Sequence, residues 1–265
     1  MSFLRTFSTL GCPELNLEEV LDLAERQGVG AVELRCLGGS TDIPGQLTAA
    51  YGTPAALATR LAKSSVRVVA LDTSLKLAGG TEADWAAVQA FIPWAEALGG
   101  LRLRVFDGGT AGDPAAPRQV AAGWQRWREL RRRQGWKTDL MVETHDSLFD
   151  AARIQACLGE APDCAILWDS HHTWKKGGEA PVATWTAIKA SVVHVHIKDS
   201  VDRPSARHPY TYVLPGAGVF PWSILRPVLA AEFKGPISLE WERQWHPYLP
   251  PLEEALRAAT HAGWW

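Results

Sequence analysis

The stretch Ser191-Val-Val-His-Val-His-Ile-Lys-Asp199 alternates strictly, with Val193, Val195 and Ile197 on one face and His194, His196 and Lys198 on the other. Period-two alternation marks a β-strand. Its polar face carries two imidazoles and an amine, groups that hold cations, move protons or grip anions. Other strand-like runs present carboxylates in the same way. Met141, Glu143 and His145 share one face of 139–145, Leu167, Asp169 and His171 one face of 165–171, and Ser238, Glu240 and Glu242 one face of 236–242. A lone inward charge in a strand ordinarily reads as a structural ion pair. Four successive strands offering Glu, Asp, His and Glu at matching depth instead predict one divalent cation held by Glu143, Asp169, His196 and Glu240. Three carboxylates and one imidazole suit Mn2+, Mg2+ or Co2+ and admit Zn2+, with Mn2+ the leading expectation.

Such a set needs a scaffold that turns many strands toward one axis. Strand-like runs at 5–10, 31–36, 67–73, 101–107, 139–145, 165–171, 192–198 and 236–242 alternate with helical patterns at 16–28, 54–64, 82–98, 116–134, 147–158, 181–190, 221–233 and 251–262. Asn16 and Thr81 stand where helix N-caps belong, Pro221 and Pro251 where first turns begin, and Gly28, Gly99 and Gly135 where left-handed caps end helices. Eight alternating units without a linker or charge block predict a single (β/α)8 TIM barrel over residues 1–265. A doubly wound open sheet is the alternative, but Thr9-Leu-Gly-Cys-Pro13 lacks the Gly-rich turn that fold uses after its first strand. In a barrel, Glu33, Arg35, Asp72 and Arg104 also face inward, and the polar residues crowd toward the strand C-termini.

Composition narrows the function classes. At 265 residues and 46% hydrophobic, the chain can bury a large core, and a net charge of −2 offers no general attraction to nucleic acid or anionic membrane. The arginines of Arg126–Arg133 recur at helical spacing beside Trp127 and Leu130, as a solvated outer face does. No uncharged apolar run approaches the roughly 18 to 20 residues of a membrane span. The first residues lack a secretory apolar core, and Cys12, Cys36, Cys157 and Cys164 show no CxxC spacing. A cytoplasmic protein with reduced thiols is expected. Trp264 and Trp265 are apolar for a free tail and would dock on the barrel or on a second subunit, so a homo-oligomer is open.

Ser8-Thr-Leu-Gly-Cys-Pro13, Ala31-Val-Glu-Leu-Arg35, Val142-Glu-Thr-His145, Trp168-Asp-Ser-His-His172, His194-Val-His-Ile-Lys-Asp199 and Ser238-Leu-Glu-Trp-Glu242 together resemble the xylose-isomerase-like barrels. That group includes sugar phosphate isomerases and epimerases, inosose dehydratases and the endonuclease IV type. The resemblance runs through most of the chain, and the Asp-x-x-His of Asp169 and His172 is its most specific piece. It implies metal roles for Glu143, Asp169, His196 and Glu240, acid–base roles for the two glutamates, and a substrate contact for His172. The chain departs from many members at Gly216-Ala217-Gly218, where those carry Gly-Glu-Gly.

The chemistry expected is proton transfer beside a carbonyl through a metal-stabilised enediolate, with Glu143 and Glu240 flanking one carbon of a small sugar or polyol. His145, His172 and Lys198 would fix hydroxyls or a phosphate. Arg35 would either grip an anionic end or bridge to Glu33, Asp72 or Glu242. Trp245 and His246, on the loop after the last strand, would line the pocket, unless Trp245 packs under the last helix. An inosose-dehydratase-like lyase begins with the same abstraction. An endonuclease IV-like hydrolase would need histidines at the ends of strands two to four, and all eight histidines lie at position 145 or later.

Overall fold

A computed structural model describes residues 3–264. Ten strands form among them: β1 (Leu4–Ser8), β2 (Ala31–Leu34), β3 (Arg67–Ala78), β4 (Arg102–Gly108), β5 (Asp139–Glu143), β6 (Ile166–Asp169), β7 (Val192–Ile197), β8 (Asp199–Val201), β9 (Thr211–Val213) and β10 (Pro236–Leu239). The first seven and β10 close a parallel barrel in the order β1-β10-β7-β6-β5-β4-β3-β2, while β8 and β9 pair separately as an antiparallel hairpin. Closure of β1 onto both β2 and β10 excludes the doubly wound sheet. The outward positions, Val142, Trp168, Val195, Ile237 and Leu239, are fully buried beneath the surrounding helices. That two-sided burial of parallel strands makes the barrel wall the core.

The register explains how residues from four strands reach one level. Asp169 pairs with His196, but Glu143 pairs with Leu167 and His196 pairs with Ser238. The site residues therefore climb two positions from β5 to β6, none from β6 to β7, and two from β7 to the chain just past β10. Strands tilted by about 36° with a shear of 8 need a climb of roughly one residue per strand to stay level. Four residues over three crossings meets that requirement closely.

Several elements differ from their sequence-based bounds. Most strands end two or three residues early, because the chain turns outward once it reaches the barrel mouth. β6 stops at Asp169, whose side chain caps the helical turn Ser170–Lys175 by accepting from the amides of His171 and His172. His171 consequently leaves the barrel wall: its Nε2 lies 2.8 Å from Ser200 Oγ, and its ring packs on Tyr210. The expected helix 82–98 is two helices, Glu82–Gln89 and Ile92–Ala97, with a proline in the first turn of the second. An additional helix, Ile43–Tyr51, fills the connection after β2. Asn16 and Thr81 cap as expected, each with a reciprocal capping box, whereas Pro221 and Pro251 are the N-cap residues and precede the first turn.

Trp264 docks onto its own barrel, stacked on Trp222 with ring centroids 5.2 Å apart, and Trp265 lies outside the described residues. All four cysteines are free and buried. No described helix is long and apolar enough to cross a membrane.

Candidate metal centre

At the C-terminal end of the barrel, Glu143, Asp169, His196 and Glu240 each aim one donor atom at a common point, all within 4.8 Å of one another and all buried. Each comes from, or directly follows, a different strand, so the closed sheet holds the set. The orientation of His196 is informative. Its Nδ1 faces Glu143 Oε1 at 3.6 Å and Glu240 Oε2 at 3.3 Å, while its Nε2 lies 2.9 Å from Glu33; neither nitrogen makes a well-aligned hydrogen bond among the described residues, but Nε2 has the closer carboxylate. Glu33 reaches His194 Nε2 with its other oxygen, also at 2.9 Å, and His194 Nε2 in turn meets Ser238 Oγ at 2.8 Å. One carboxylate beneath two rings orients His196 so that Nδ1 is the nitrogen left to bind a metal. His194 lies outside the set of four around Nδ1, and with Glu33 and His196 it forms a second buried group of donor atoms.

Buried charges are tolerated here because they are matched. Arg104, fully buried, reaches Glu143 Oε2 at 3.2 Å and Asp72 Oδ2 at 3.7 Å. Its Nη1 donates to Thr73 O, and Thr73 Oγ donates back to Arg104 O, beside the point where the β3–β4 register shifts. Lys198 contacts Glu240, lies 2.8 Å from Asp169 Oδ2 and donates to Glu242 Oε1 at 2.6 Å. Burial opposes ionisation throughout, and neighbouring opposite charges outweigh it at Asp169, Glu240 and His196, though not at Asp72. Against its burial, His172 and Lys198 hold Asp169 well below the carboxylate range. Against the same opposition, His196 and Lys198 hold Glu240 well below it. His196 rises well above its ordinary value despite burial, because Glu240 and Glu33 favour the imidazolium. An ionised trio of carboxylates around an imidazole nitrogen without a hydrogen bond fits a divalent cation.

Two cavities that share lining residues lie at this end of the barrel. The inner one, about 50 Å3, is lined by Glu143, Glu240, Arg104, His172, His145 and Arg35 among others. The outer one, about 300 Å3, adds Arg207, His208 and His246 and shares Arg35, Phe106, His145, Glu242 and Trp245. His172 lies with Nδ1 3.0 Å from Asp169 Oδ2 and with its ring edge-on to His145. Burial depresses its basicity although Asp169 pulls the other way. Burial also opposes the His145 imidazolium, yet the hydrogen bond to Asp146 and the charge of Glu143 raise it above the ordinary value.

The expected pocket residues divide as follows. Arg35, His145, His172, Trp245 and His246 all line one or both cavities, and Trp245 stands 38% exposed at the rim rather than under the last helix. None of the bridges expected for Arg35 forms: no carboxylate of the described residues lies within 4.0 Å of it, and Nη2 donates instead to Ser74 Oγ. Lys198, expected at the mouth, is almost fully buried against Asp169, Glu240 and Glu242 and lines neither cavity. Ala217 is exposed on a loop pinned by Asp199, which accepts from the amides of Gly216, Gly218 and Phe220. Glu33 and Arg104 were legible as inward residues, but their service to His196 and Glu143 was not. Arg207 and His208 carry no periodic signal, because they sit in the irregular turn between β8 and β9.

Two other features bear on the alternatives. Asp107, at the end of β4, accepts from the amides of Asp146, Ser147 and Leu148 and so clamps a loop. A larger cavity, about 540 Å3, lies on the outer face of helix Ala116–Gln134. Its arginines are paired outward, Arg128 with Asp139 and Asp163, Arg132 with Glu129.

No curated protein matches this chain by sequence. Solved structures share its fold at low identity. The probable 3-DHS dehydratase AsbF of Bacillus anthracis superposes with a TM-score of 0.77 at 17% identity, covering 98% of this chain and 99% of that one. The IolI protein with a bound zinc atom gives 0.75 at 14% identity over 98% and 96%. A xylose isomerase domain containing protein of Salmonella typhimurium gives 0.72 at 17% over 99% and 98%. The family profile described as "Xylose isomerase-like TIM barrel" matches residues 21–262, nearly the whole chain, and this protein belongs to that family.

Proposed function

We propose that this protein is a divalent-metal-dependent isomerase or epimerase of a small sugar, sugar phosphate or polyol ketone, with Mn2+ the leading candidate metal. The observation that carries the reading is the convergence of three ionised carboxylates and Nδ1 of His196 below an inner cavity of about 50 Å3 that shares its walls with an outer one of about 300 Å3, the size of a small-molecule site. A bound cation would supply Lewis-acid stabilisation of the negative charge that develops on a carbonyl oxygen. Glu143 and Glu240 stand on either side of His196 and can address one substrate carbon from two directions. One takes the proton beside the carbonyl and the other returns it, either to the opposite face or to the neighbouring carbon. Arg104 and Lys198 keep the two glutamates ionised and ready to accept it. His145 and His172 reach hydroxyls from the cavity wall, and Trp245 and His246 cover the rim.

A second reading, loss of water after the same abstraction, is favoured by the two imidazoles in the inner cavity, which stand where a departing hydroxyl needs a proton. The dehydratase name of one structural neighbour is consistent with it. The two readings separate in D2O with a ketose and polyol-ketone panel. Isomerisation or epimerisation exchanges carbon-bound hydrogen without loss of mass, and dehydration lowers the product mass by one water. Glu143→Gln and Glu240→Gln should each cut turnover by roughly a thousandfold or more with the far-UV circular dichroism unchanged. Near-normal activity in either sinks the two-glutamate scheme, and a wild-type protein that binds no Mn2+ sinks the metal reading.

A further inference from the structure

Among the described residues, Arg35 is a buried cation with no carboxylate within salt-bridge distance, although Asp72 and Glu143 lie near enough to favour its charge. It is only 5% exposed, its Nη1 has no hydrogen-bond partner there, and Nη2 is held by Ser74 Oγ at 3.1 Å. Burial and the nearby charge of Arg104 bring its pKa down to about 10, which leaves it cationic at neutral pH. The other buried cations of the site are paired, Arg104 with Glu143 and Asp72, Lys198 with Asp169, Glu240 and Glu242. A buried guanidinium left unpaired costs several kcal/mol, so its partner is to be sought in what enters the cavity.

The opposite wall points the same way. Arg207, in the turn between β8 and β9, lines the outer cavity and is exposed. Its Nη1 donates to Trp245 O at 3.2 Å, and no carboxylate lies within 4.0 Å among the described residues. Glu242, the one carboxylate of the described residues lining that cavity, is already bonded to Lys198 at 2.6 Å. Burial keeps His208 neutral, with its pKa brought down to about 4, and it offers hydrogen bonds rather than charge. Arg35 lines the outer cavity as well as the inner one that holds Glu143 and Glu240, so a small molecule that extends from one into the other can meet all three.

Building on the proposed metal-dependent carbonyl chemistry, we infer that the substrate is an oxyanion, a carboxylate or phosphate at the end remote from the reacting carbonyl, received by the buried fork of Arg35 and steered by Arg207. A guanidinium fork suits either group, since both present two acceptor oxygens at matching separation.

The test uses three six-carbon ketoses as probes: neutral D-fructose, D-fructose 6-phosphate and 5-keto-D-gluconate, titrated calorimetrically into wild-type protein with and without Mn2+. At least one anionic probe should bind about tenfold or more tightly than fructose, and only the anionic binding should weaken with added salt. Arg35→Gln should bring the anion to within about threefold of fructose while Mn2+ affinity holds, and Arg35→Lys should fall between, keeping the charge but losing the fork. Which anion wins identifies the group. Equal affinities, no saturable binding of either anion up to about 10 mM, or an anionic advantage that survives Arg35→Gln would overturn the inference. If Arg35→Gln does not fold, Arg207→Gln, on an exposed turn, should still cut anion binding about two- to threefold, and no change there counts against it. Failure to bind Mn2+ overturns the metal reading alone, because the charge preference is read separately in metal-free protein.

Discussion

Replacing Glu33 by Gln probes the site from below without touching a metal ligand. Glu33 is fully buried, 2.9 Å from Nε2 of both His194 and His196, and a carboxamide is nearly isosteric with it. A divalent cation on Nδ1 would sit a ring's width beyond, about 7 Å from the carboxylate, where the attraction is about 5 kcal/mol at an effective dielectric near 20. The flanking cations Arg104 and Lys198 and the nearby cavity water screen much of that. The expected loss is therefore about 10- to 100-fold in metal affinity, or roughly 1.4 to 2.7 kcal/mol. The sign reverses for the proton. Glu33 also helps to hold the metal-free His196 imidazolium above its ordinary range, and metal must displace that proton. The variant should thus be most impaired at high pH, where wild-type His196 is free of its proton, and the gap should narrow as pH falls. Competition against a fluorescent chelator between pH 6 and 9 reads both effects. Wild-type affinity in Glu33→Gln, or a gap that widens toward acid, would refute the assignment of Nδ1 as the ligand atom and Glu33 as its orienting partner.

Three further outcomes are expected. Lys198→Met leaves Asp169, Glu240 and Glu242 without their shared cation, and should destabilise the metal-free protein by about 3 to 5 kcal/mol. Saturating Mn2+ should raise the melting temperature of that variant more than that of the wild type, and an equal gain would contradict the charge balance. Asp72 is pushed up to about 8 by burial and by the charge of Glu33. Because the native state keeps a proton the unfolded chain has lost, this group's contribution is complete below about pH 4 and fades as pH rises toward 8. Melting scans of metal-free Asp72→Asn should therefore show an advantage over wild type that grows from pH 5 to pH 8, whereas a constant difference would mean Asp72 is ionised throughout. Away from the site, Gly123 lies where a Cβ would come within 2.8 Å of Leu77 O and 2.9 Å of Leu77 Cβ. Gly123→Ala should cost about 1 to 3 kcal/mol in denaturant melts with metal affinity unchanged.

The barrel and the four inward residues of the candidate metal centre are legible in the amino-acid sequence. Period two gives a face to each residue of a strand, and parallel strands buried on both sides allow few substitutes for that pattern, so alternation turns Glu143, Asp169, His196 and Glu240 inward, and matching depth across neighbouring strands sets them apart from the other inward residues. Alternation carries no information about where a strand stops, and His171 was misplaced for that reason: Asp169 ends β6 by capping the next turn with its own side chain. Nor does it say which inward charge pairs with which. Arg35 could have met any of three carboxylates and instead donates to Ser74, while Lys198 sits within the carboxylate cluster. Such pairings join residues from different strands, and only closure of the sheet sets their distances. The same holds for Arg207, which an irregular turn brings to the rim from a position with no periodic signal, and for the nitrogen of His196 that remains free, which is decided by a glutamate five strands earlier in the chain.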